Sequence, residues 1–483
     1  MSIARIFTSA ISRILPKSAF ARSVGVLAGG TAGAQVAMMA AAPILTRLYD
    51  PDDFGLLAVY SGILALVLVV ASVRYELAIP LPEDEEEAAN IAVLSLLIVL
   101  GVTALSALGL ALFGAKVVDV LGVPALAGYT WLLPFGVLLG GAYTVFNYWA
   151  IRTQQFPTIA KTQLRQALAT IGIQMFAFKL GSGALIVGQV SGHCVGTLSL
   201  ARLALQSPAF RAVTWSGVRR AAVRYRRLPI FSTWSALFNT AGAQLPALLF
   251  AALFSPVAAG LFMLVNRVLQ LPMSVIGSAI GHVFFASAAQ AHREGNIAPL
   301  VADLYARLCH IGMPPTLVLI LVGPDLFAWV FGAEWRQAGE FAQWMAPWFF
   351  LGFVSSPLST LFTIFEREGQ GLIFQSVLLF ARIAALTYGA AQDDLSLTVI
   401  LFSTASALSY IGVIVWIAVM SNNSFWSIVL PTLTAFGVAI ICVLPLLIVL
   451  AIDGFPPSTW LFALVASSVL IAMRYWGLLR AVY

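Results

Sequence analysis

Fourteen long, continuous apolar runs set the limits on what this chain can fold into. They lie at about 23–47, 54–80, 88–113, 126–151, 161–180, 183–205, 228–254, 257–285, 300–322, 339–365, 369–391, 395–420, 426–450 and 457–479. A helix needs about 20 apolar residues to cross the hydrocarbon of a bilayer, and these runs reach or exceed that length. Strands of a transmembrane barrel would instead alternate over segments of about 10 residues. Only 10% of the 483 residues are charged, too few to cover a water-facing surface, where a soluble domain carries about 25%. The chain therefore reads as an all-α polytopic membrane protein of about 14 transmembrane helices.

Two of the runs open alike. Thr31–Gln35 reads TAGAQ, and Thr240–Gln244 reads TAGAQ again. Each copy leads into a punctuation signal, Leu48–Leu56 and Leu253–Leu261, and both signals fit Leu-aromatic-x-Pro-x-x-x-Gly-Leu. A repeat on this scale implies two similar halves. The halves begin with the first and seventh runs, so both enter the membrane from the same side and are parallel repeats. The expected architecture is two six-helix bundles around a central cleft, with two helices appended. The corresponding divisions are a cytoplasmic amphipathic N-terminus at 1–22, an N-terminal bundle at 23–205, a basic cytoplasmic linker at 206–227, a C-terminal bundle at 228–420 and appended helices at 421–483.

Lysine and arginine set the orientation. With the N-terminus inside, only Arg47, Lys116, Lys179 and Arg336 fall on the outer side, so both termini are expected in the cytoplasm. The basic N-terminus lacks a small-residue cleavage site after a compact apolar core and is not read as a signal peptide; a helix lying on the membrane surface suits it better. The densest basic cluster, Arg211, Arg219, Arg220, Arg224, Arg226 and Arg227, joins the sixth and seventh runs. The positive-inside rule and snorkelling arginines account for it; docking of anionic lipid or a cytoplasmic partner is the alternative. The net charge of +6 is read as topology rather than as a nucleic-acid footprint.

Several chemistries are missing. The chain has no GxxxxGK[ST] phosphate loop, HExxH, CxxC or GxSxG. Cys194, Cys309 and Cys442 sit in apolar runs with no pairing or metal spacing, and His193, His282, His292 and His310 form no ligand cluster. No outer loop is long enough for a catalytic domain. The chain is expected to be no enzyme and to need no metal or cofactor.

Charges inside the membrane are costly and therefore functional candidates. Arg267, preceded by Asn266, is followed by fifteen uncharged residues. Arg382 lies mid-run in LLFARIAAL. Neither reaches an interface easily, and few carboxylates lie within the runs to pair with them, so a positively lined cavity for an anionic head group is favoured over a structural pair. Arg74 and Glu76, in VRYELAIP, are near enough to the inner boundary to snorkel, and functional and anchoring roles weigh equally. Arg47, beside Asp50, Asp52 and Asp53, reads as a helix-end anchor, and Glu83–Glu87 (EDEEE) as a solvated loop whose carboxylates start the third helix. Gln35, Asn147, Gln163, Asn239 and Gln244 could hydrogen-bond sugar hydroxyls, although helix–helix contact explains any one of them. Tyr143, Phe146, Tyr148 and Trp149 could stack on sugars or form an interfacial belt. Gly25, Gly29 and Gly33, and Gly188, Gly192 and Gly196, are spaced for close helix packing. Prolines within runs, among them Pro43, Pro134, Pro246, Pro272, Pro347 and Pro357, free carbonyls and can bend helices.

Two stretches resemble a known family. ILTRLYDPDDFGLLAVYSGILALVLVVASVRYELAIPLPEDEEEAAN (Ile44–Asn90) is similar to the opening of bacterial polysaccharide-repeat-unit flippases. NTAGAQLPALLFAALFSPVAAGLFMLVNRVLQLPMSVIGSAIG (Asn239–Gly281) is similar to the start of their second half. The family lies in the multidrug/oligosaccharidyl-lipid/polysaccharide exporter superfamily. The resemblance implies twelve core helices, often with two more, around a central cationic cavity in the inner membrane. The implied task is to move an undecaprenyl-diphosphate-linked oligosaccharide from the cytoplasmic to the periplasmic leaflet by alternating access, for O-antigen, capsule or exopolysaccharide assembly. The family carries no strict catalytic motif to transfer, so the substrate-binding candidates rest on the residues themselves: Arg267, Arg382, Arg74, Asn266, Asn147, Gln35 and Gln244. A polysaccharide polymerase and a chain-length regulator are candidate partners; nucleic acid is not.

Three other readings compete. A drug or cation exporter of the same superfamily would want carboxylates inside the runs, and the first and seventh runs contain none. A peptidoglycan-precursor flippase would share the cavity charge, and the RYELAI stretch argues against it. A membrane-embedded polymerase or glycosyltransferase would want a catalytic acid on a long outer loop, for which Asp325, Glu334 and Glu340 are the available groups.

Overall fold

The computed structural model describes residues 19–273, 277–452 and 459–480. Residues 1–18, most of the expected amphipathic N-terminus, lie outside them. All regular structure among the described residues is helical. The chain divides into two compact units, one ending at Gly260 and the other beginning at Leu261.

The first unit holds α1 (Ala19–Leu48), α2 (Pro51–Val70), α3 (Glu85–Leu121), α4 (Leu132–Arg152), α5 (Phe156–Phe176), α6 (Ser182–Leu205), α7 (Trp215–Arg224), α8 (Thr233–Leu253) and the start of α9 (Pro256–Pro272). The second holds the rest of α9, then α10 (Ser278–Arg293), α11 (Ile297–Phe331), α12 (Arg336–Leu358), α13 (Glu368–Ala391), α14 (Leu395–Met420), α15 (Trp426–Ala451) and α16 (Thr459–Arg480). Among the described residues, eleven helices are long and apolar enough to cross a membrane, and the protein is a multi-pass membrane protein. Large apolar side chains on the outer faces, such as Leu430, Leu433, Leu108 and Leu112, stand exposed, as contact with lipid tails requires. The fourth and fifth expected spans are helices α4 and α5, each of 21 residues, but neither belongs to the eleven. Of the eighth, expected as one run over 257–285, the described parts are α9, Pro256–Pro272, and α10, which begins at Ser278.

Local chemistry explains the helix boundaries. Asp50 caps α2 by accepting from the Asp53 amide at 3.0 Å, and Pro51 stands at the first helical position, where its missing N–H costs nothing. Asp84 caps α3 by accepting from the amides of Glu86 and Glu87, and Glu85, Glu86 and Glu87 occupy the first turn, where carboxylates complement the helix dipole. The acidic run thus starts the third helix, as its charge pattern implies. Asp394 caps α14 in the same way.

In the first unit α1 packs on α5, α5 on α6, α6 on α4, α4 on α3 and α2 on α8. The two punctuation signals of the repeat meet here. A Cβ on Gly55 would collide with the backbone of Pro256, and a Cβ on Gly260 would collide with the carbonyl of Pro51. Each glycine leaves room for the other copy's proline, so the repeat crosses itself in a reciprocal contact. The glycine ladders divide. Gly188, Gly192 and Gly196 press against Gln174, Thr170 and Gln166 of α5, whereas Gly29 and Gly33 face open space. Only the second ladder mediates close packing in the manner its spacing suggests.

In the second unit α11 packs on α12 and α15, α12 on α10 and α14, α13 on α14 and α15 on α16. Prolines in α11 free carbonyls four residues upstream, and side chains take them up. Pro324 releases the Ile320 carbonyl, the helix leaves α geometry at Val322 (φ −129°), and the Gln343 amide donates to that carbonyl at 2.7 Å. Pro315 releases the Ile311 carbonyl, and Tyr475 of α16 donates its hydroxyl to it at 2.6 Å. Tyr475→Phe should therefore cost about 1 kcal/mol and speed amide hydrogen exchange in α16 while sparing α11. A wild-type exchange pattern would remove this latch from the account.

Candidate functional site

Arg382 extends from α13 between aromatic faces. Its guanidinium carbon lies 4.8 Å from the centroid of the Trp348 ring and 5.1 Å from that of Phe402. Trp348 stacks on Phe349 at 3.8 Å and lies parallel to Tyr410 at 6.2 Å, and Tyr410 also interacts with the guanidinium. Nε donates to the Ser406 hydroxyl at 2.8 Å, and Nη2 is buried without a hydrogen-bond partner among the described residues. Every group on this cation is neutral. Ring faces stabilise a guanidinium, by about 2 kcal/mol where it is desolvated, but they do not cancel its charge. Arg382 remains a fixed, oriented positive centre with donor capacity in reserve.

Arg267 lies on α9, partly exposed, and among the described residues no carboxylate is within ion-pair distance of it. Its neighbour Asn266 accepts a hydrogen bond from Gln270, one turn on, at 2.8 Å. Between Asp119 and Glu294 the chain contains no carboxylate side chain, so none lies near it in sequence.

Arg74 is different. The expected second span runs to residue 80, but α2 ends at Val70. The chain then folds into tight turns and a short 3₁₀ segment at Tyr75–Ala78. Val73 and Arg74 adopt φ of 47° and 64°, a region that costs a β-branched residue especially. Tertiary contacts hold the strain. Arg152 donates to the carbonyls of Ile79, Pro82 and Glu83, and Tyr75 donates to the Ala222 carbonyl at 2.9 Å. Glu76, 1% exposed, accepts from Ser72 at 2.5 Å and faces Arg74 at 3.4 Å. Tyr148 interacts with both charges. This pair is net neutral, which separates Arg74 from the two other arginines.

The amides spread over several elements. Gln163 accepts from Thr31, the first residue of the repeated pentapeptide, at 2.6 Å, and it also bonds Tyr143, so it ties α1, α4 and α5 together. Gln35 lies half-buried on α1, and Gln244 is likewise half-buried on α8. Asn147 on α4 holds a buried Oδ1 without a hydrogen-bond partner among the described residues. Of Tyr143, Phe146, Tyr148 and Trp149 on α4, Phe146 and Trp149 are buried, and Trp149 packs edge-on against Phe210 at 4.7 Å. Those two are core, and neither is available to stack on a ligand. Arg74, Gln35, Asn147 and Gln244 belong to the first unit; Asn266, Arg267 and Arg382 belong to the second. The cage around Arg382 was not legible beforehand, because Trp348, Phe402, Ser406 and Tyr410 lie on two other helices.

The family follows from the sequence itself. Residues 44–340, more than half of the chain, match the family described as polysaccharide biosynthesis protein. The chain belongs to that family. None of the curated proteins matches it. The fold of this polysaccharide biosynthesis protein is similar to that of the lipid II flippase MurJ in an inward closed conformation, with a TM-score of 0.71 and 11% identity over 94% of this chain and 99% of that one. It is also similar to an inward-facing multidrug resistance MATE family transporter of the MOP superfamily, with a TM-score of 0.64 and 13% identity over 82% and 94% of the two chains. A MOP superfamily transporter from Pyrococcus furiosus aligns with a TM-score of 0.51 and 13% identity over 83% and 95%. These likenesses show that the chain shares the all-α membrane fold of those proteins.

Proposed function

We propose that this protein is a flippase that moves undecaprenyl-diphosphate-linked oligosaccharide repeat units from the cytoplasmic to the periplasmic leaflet of the bacterial inner membrane. Alternating access carries the substrate across, with both termini of the protein in the cytoplasm. The carrying observation is that Arg382 and Arg267 have no carboxylate partner among the described residues, and that the groups around Arg382 are neutral. A diphosphate offers the charge these guanidiniums lack, in bidentate geometry. The glycan needs polar partners because its hydroxyls lose water in hydrocarbon, and side-chain amides such as that of Asn266, next to Arg267, can supply them. The prenyl tail stays in lipid throughout.

Two rival readings, the cation exporter and the polymerase, have weaker support. A cation exporter would want a free carboxylate within the helices, and Glu76 is already engaged by Ser72 and Arg74. A polymerase would want an acid on a long outer loop. Asp325 lies within α11 and pairs with Arg336, and only residues 332–335 separate α11 from α12.

The test is deletion of the gene in its host, followed by labelling of lipid-linked oligosaccharide by membrane side. Repeat units should accumulate on the cytoplasmic side, and the wild-type gene should clear them. Units that cross normally but stay unpolymerised outside would replace this reading with the polymerase.

A further inference from the structure

We propose that α7 is a docking face for the anionic surface of the bilayer, binding phospholipids whose head groups carry net negative charge. The helix joins two membrane spans, α6 and α8, so it lies at the membrane boundary by connectivity. It is held there in one rotation. Gly217, Val218 and Ala221 form its buried face, which packs on α3. The Thr214 amide donates to Asn90 at 3.1 Å, the Thr214 hydroxyl caps the helix by accepting from the Gly217 amide, and Arg224 and Tyr225 both bond Glu87.

Fixing that face turns a defined set of side chains outward. Trp215 is 76% exposed and Val223 60% exposed, beside exposed Arg219 and Arg220, with exposed Arg226 and Arg227 one turn on. Arginines interspersed with tryptophan and valine on one face match the head-group region, where phosphates meet the upper acyl chains. Arg224 has Glu87; among the described residues the other four form no ion pair. Topology alone would require only the positive charges. It would not require a capped helix latched at three points that presents a tryptophan outward.

The test uses the full-length protein purified in neutral detergent. Phosphatidylglycerol, phosphatidylcholine or inorganic pyrophosphate is titrated while thermal unfolding is followed. Phosphatidylglycerol should raise the melting temperature where phosphatidylcholine does not. The variant R219Q/R220Q/R226Q/R227Q should need at least about tenfold more phosphatidylglycerol for the same shift, from roughly 1 kcal/mol of attraction per surface arginine. The matching four-lysine variant should respond like wild type, because a lipid surface reads charge rather than guanidinium shape. If the four-glutamine variant fails to fold, R219Q/R220Q alone should weaken the response in the same direction. Equal responses to the two lipids, an undiminished response in the glutamine variants, or loss of the response in the lysine variant would each overturn the proposal. So would a pyrophosphate shift matching that of phosphatidylglycerol, which would mark a site for free anions.

Discussion

Arg382→Ala should slow translocation of lipid-linked repeat units by about 10- to 100-fold at matched membrane levels, and Arg267→Ala should do so within the same range. The magnitude follows from the loss of a charge-assisted contact to a phosphate, about 1.5–3 kcal/mol. The two sites should answer differently to lysine. Arg267 has no carboxylate partner and no ring contact among the described residues, so Arg267→Lys preserves most of what it offers. Arg382 is oriented by its Nε bond to Ser406 and by the planes of Trp348 and Phe402. An ammonium cannot reproduce that planar fit, so Arg382→Lys should remain impaired. Side-selective labelling of the lipid-linked intermediate in a deletion host measures all four variants, and thermal unfolding in detergent checks that each is folded. Near-normal clearance by both alanine variants would leave the flippase reading standing and remove these arginines from the substrate's path.

Gly55→Val and Gly260→Val should each prevent recovery of a folded, monodisperse protein. A Cβ at either position meets backbone atoms of the opposite motif copy, Pro256 for Gly55 and Pro51 for Gly260. Side chains can rotate away from an intruding group, but a proline-fixed backbone at a capped helix start cannot. Overpacking ordinarily costs about 1–3 kcal/mol, and here the larger end or more is expected. Gly29→Val and Gly33→Val serve as controls, since both positions have open space around them, and each should fold with nearly wild-type stability. Comparable melting temperatures for all four variants would mean that the crossing of the repeat bears no load.

Several features were readable from sequence because their causes are local. The apolar runs place the helices. Asp50, Asp84 and Asp394 stand directly before the helices they cap. The repeated Pro-x-x-x-Gly marks the start of α2 and α9, and the two family-like stretches lie within the region that matches the polysaccharide biosynthesis family, as far as residue 340. The residues 71–84 were not readable in this way. Their apolar character continues the preceding run, and only Arg152, Tyr75 and Ser72, reaching partners up to 147 residues away, bend the chain into strained turns that neutralise Arg74. Likewise, two glycine ladders of equal spacing differ because one faces α5 and the other faces open space.

Sequence by itself determined that this is a helical membrane protein built on a repeat, where its helices start, and to which family it belongs. Those properties depend on hydrophobicity, caps and identities a few residues apart. Tertiary structure decided which charges are cancelled and which remain. Glu76 reaches Arg74, Glu87 reaches Arg224, and neutral rings and a hydroxyl surround Arg382. Whether a guanidinium in a membrane is a pair or a receptor depends on the few ångströms around it, and in this chain most of those neighbours come from other helices.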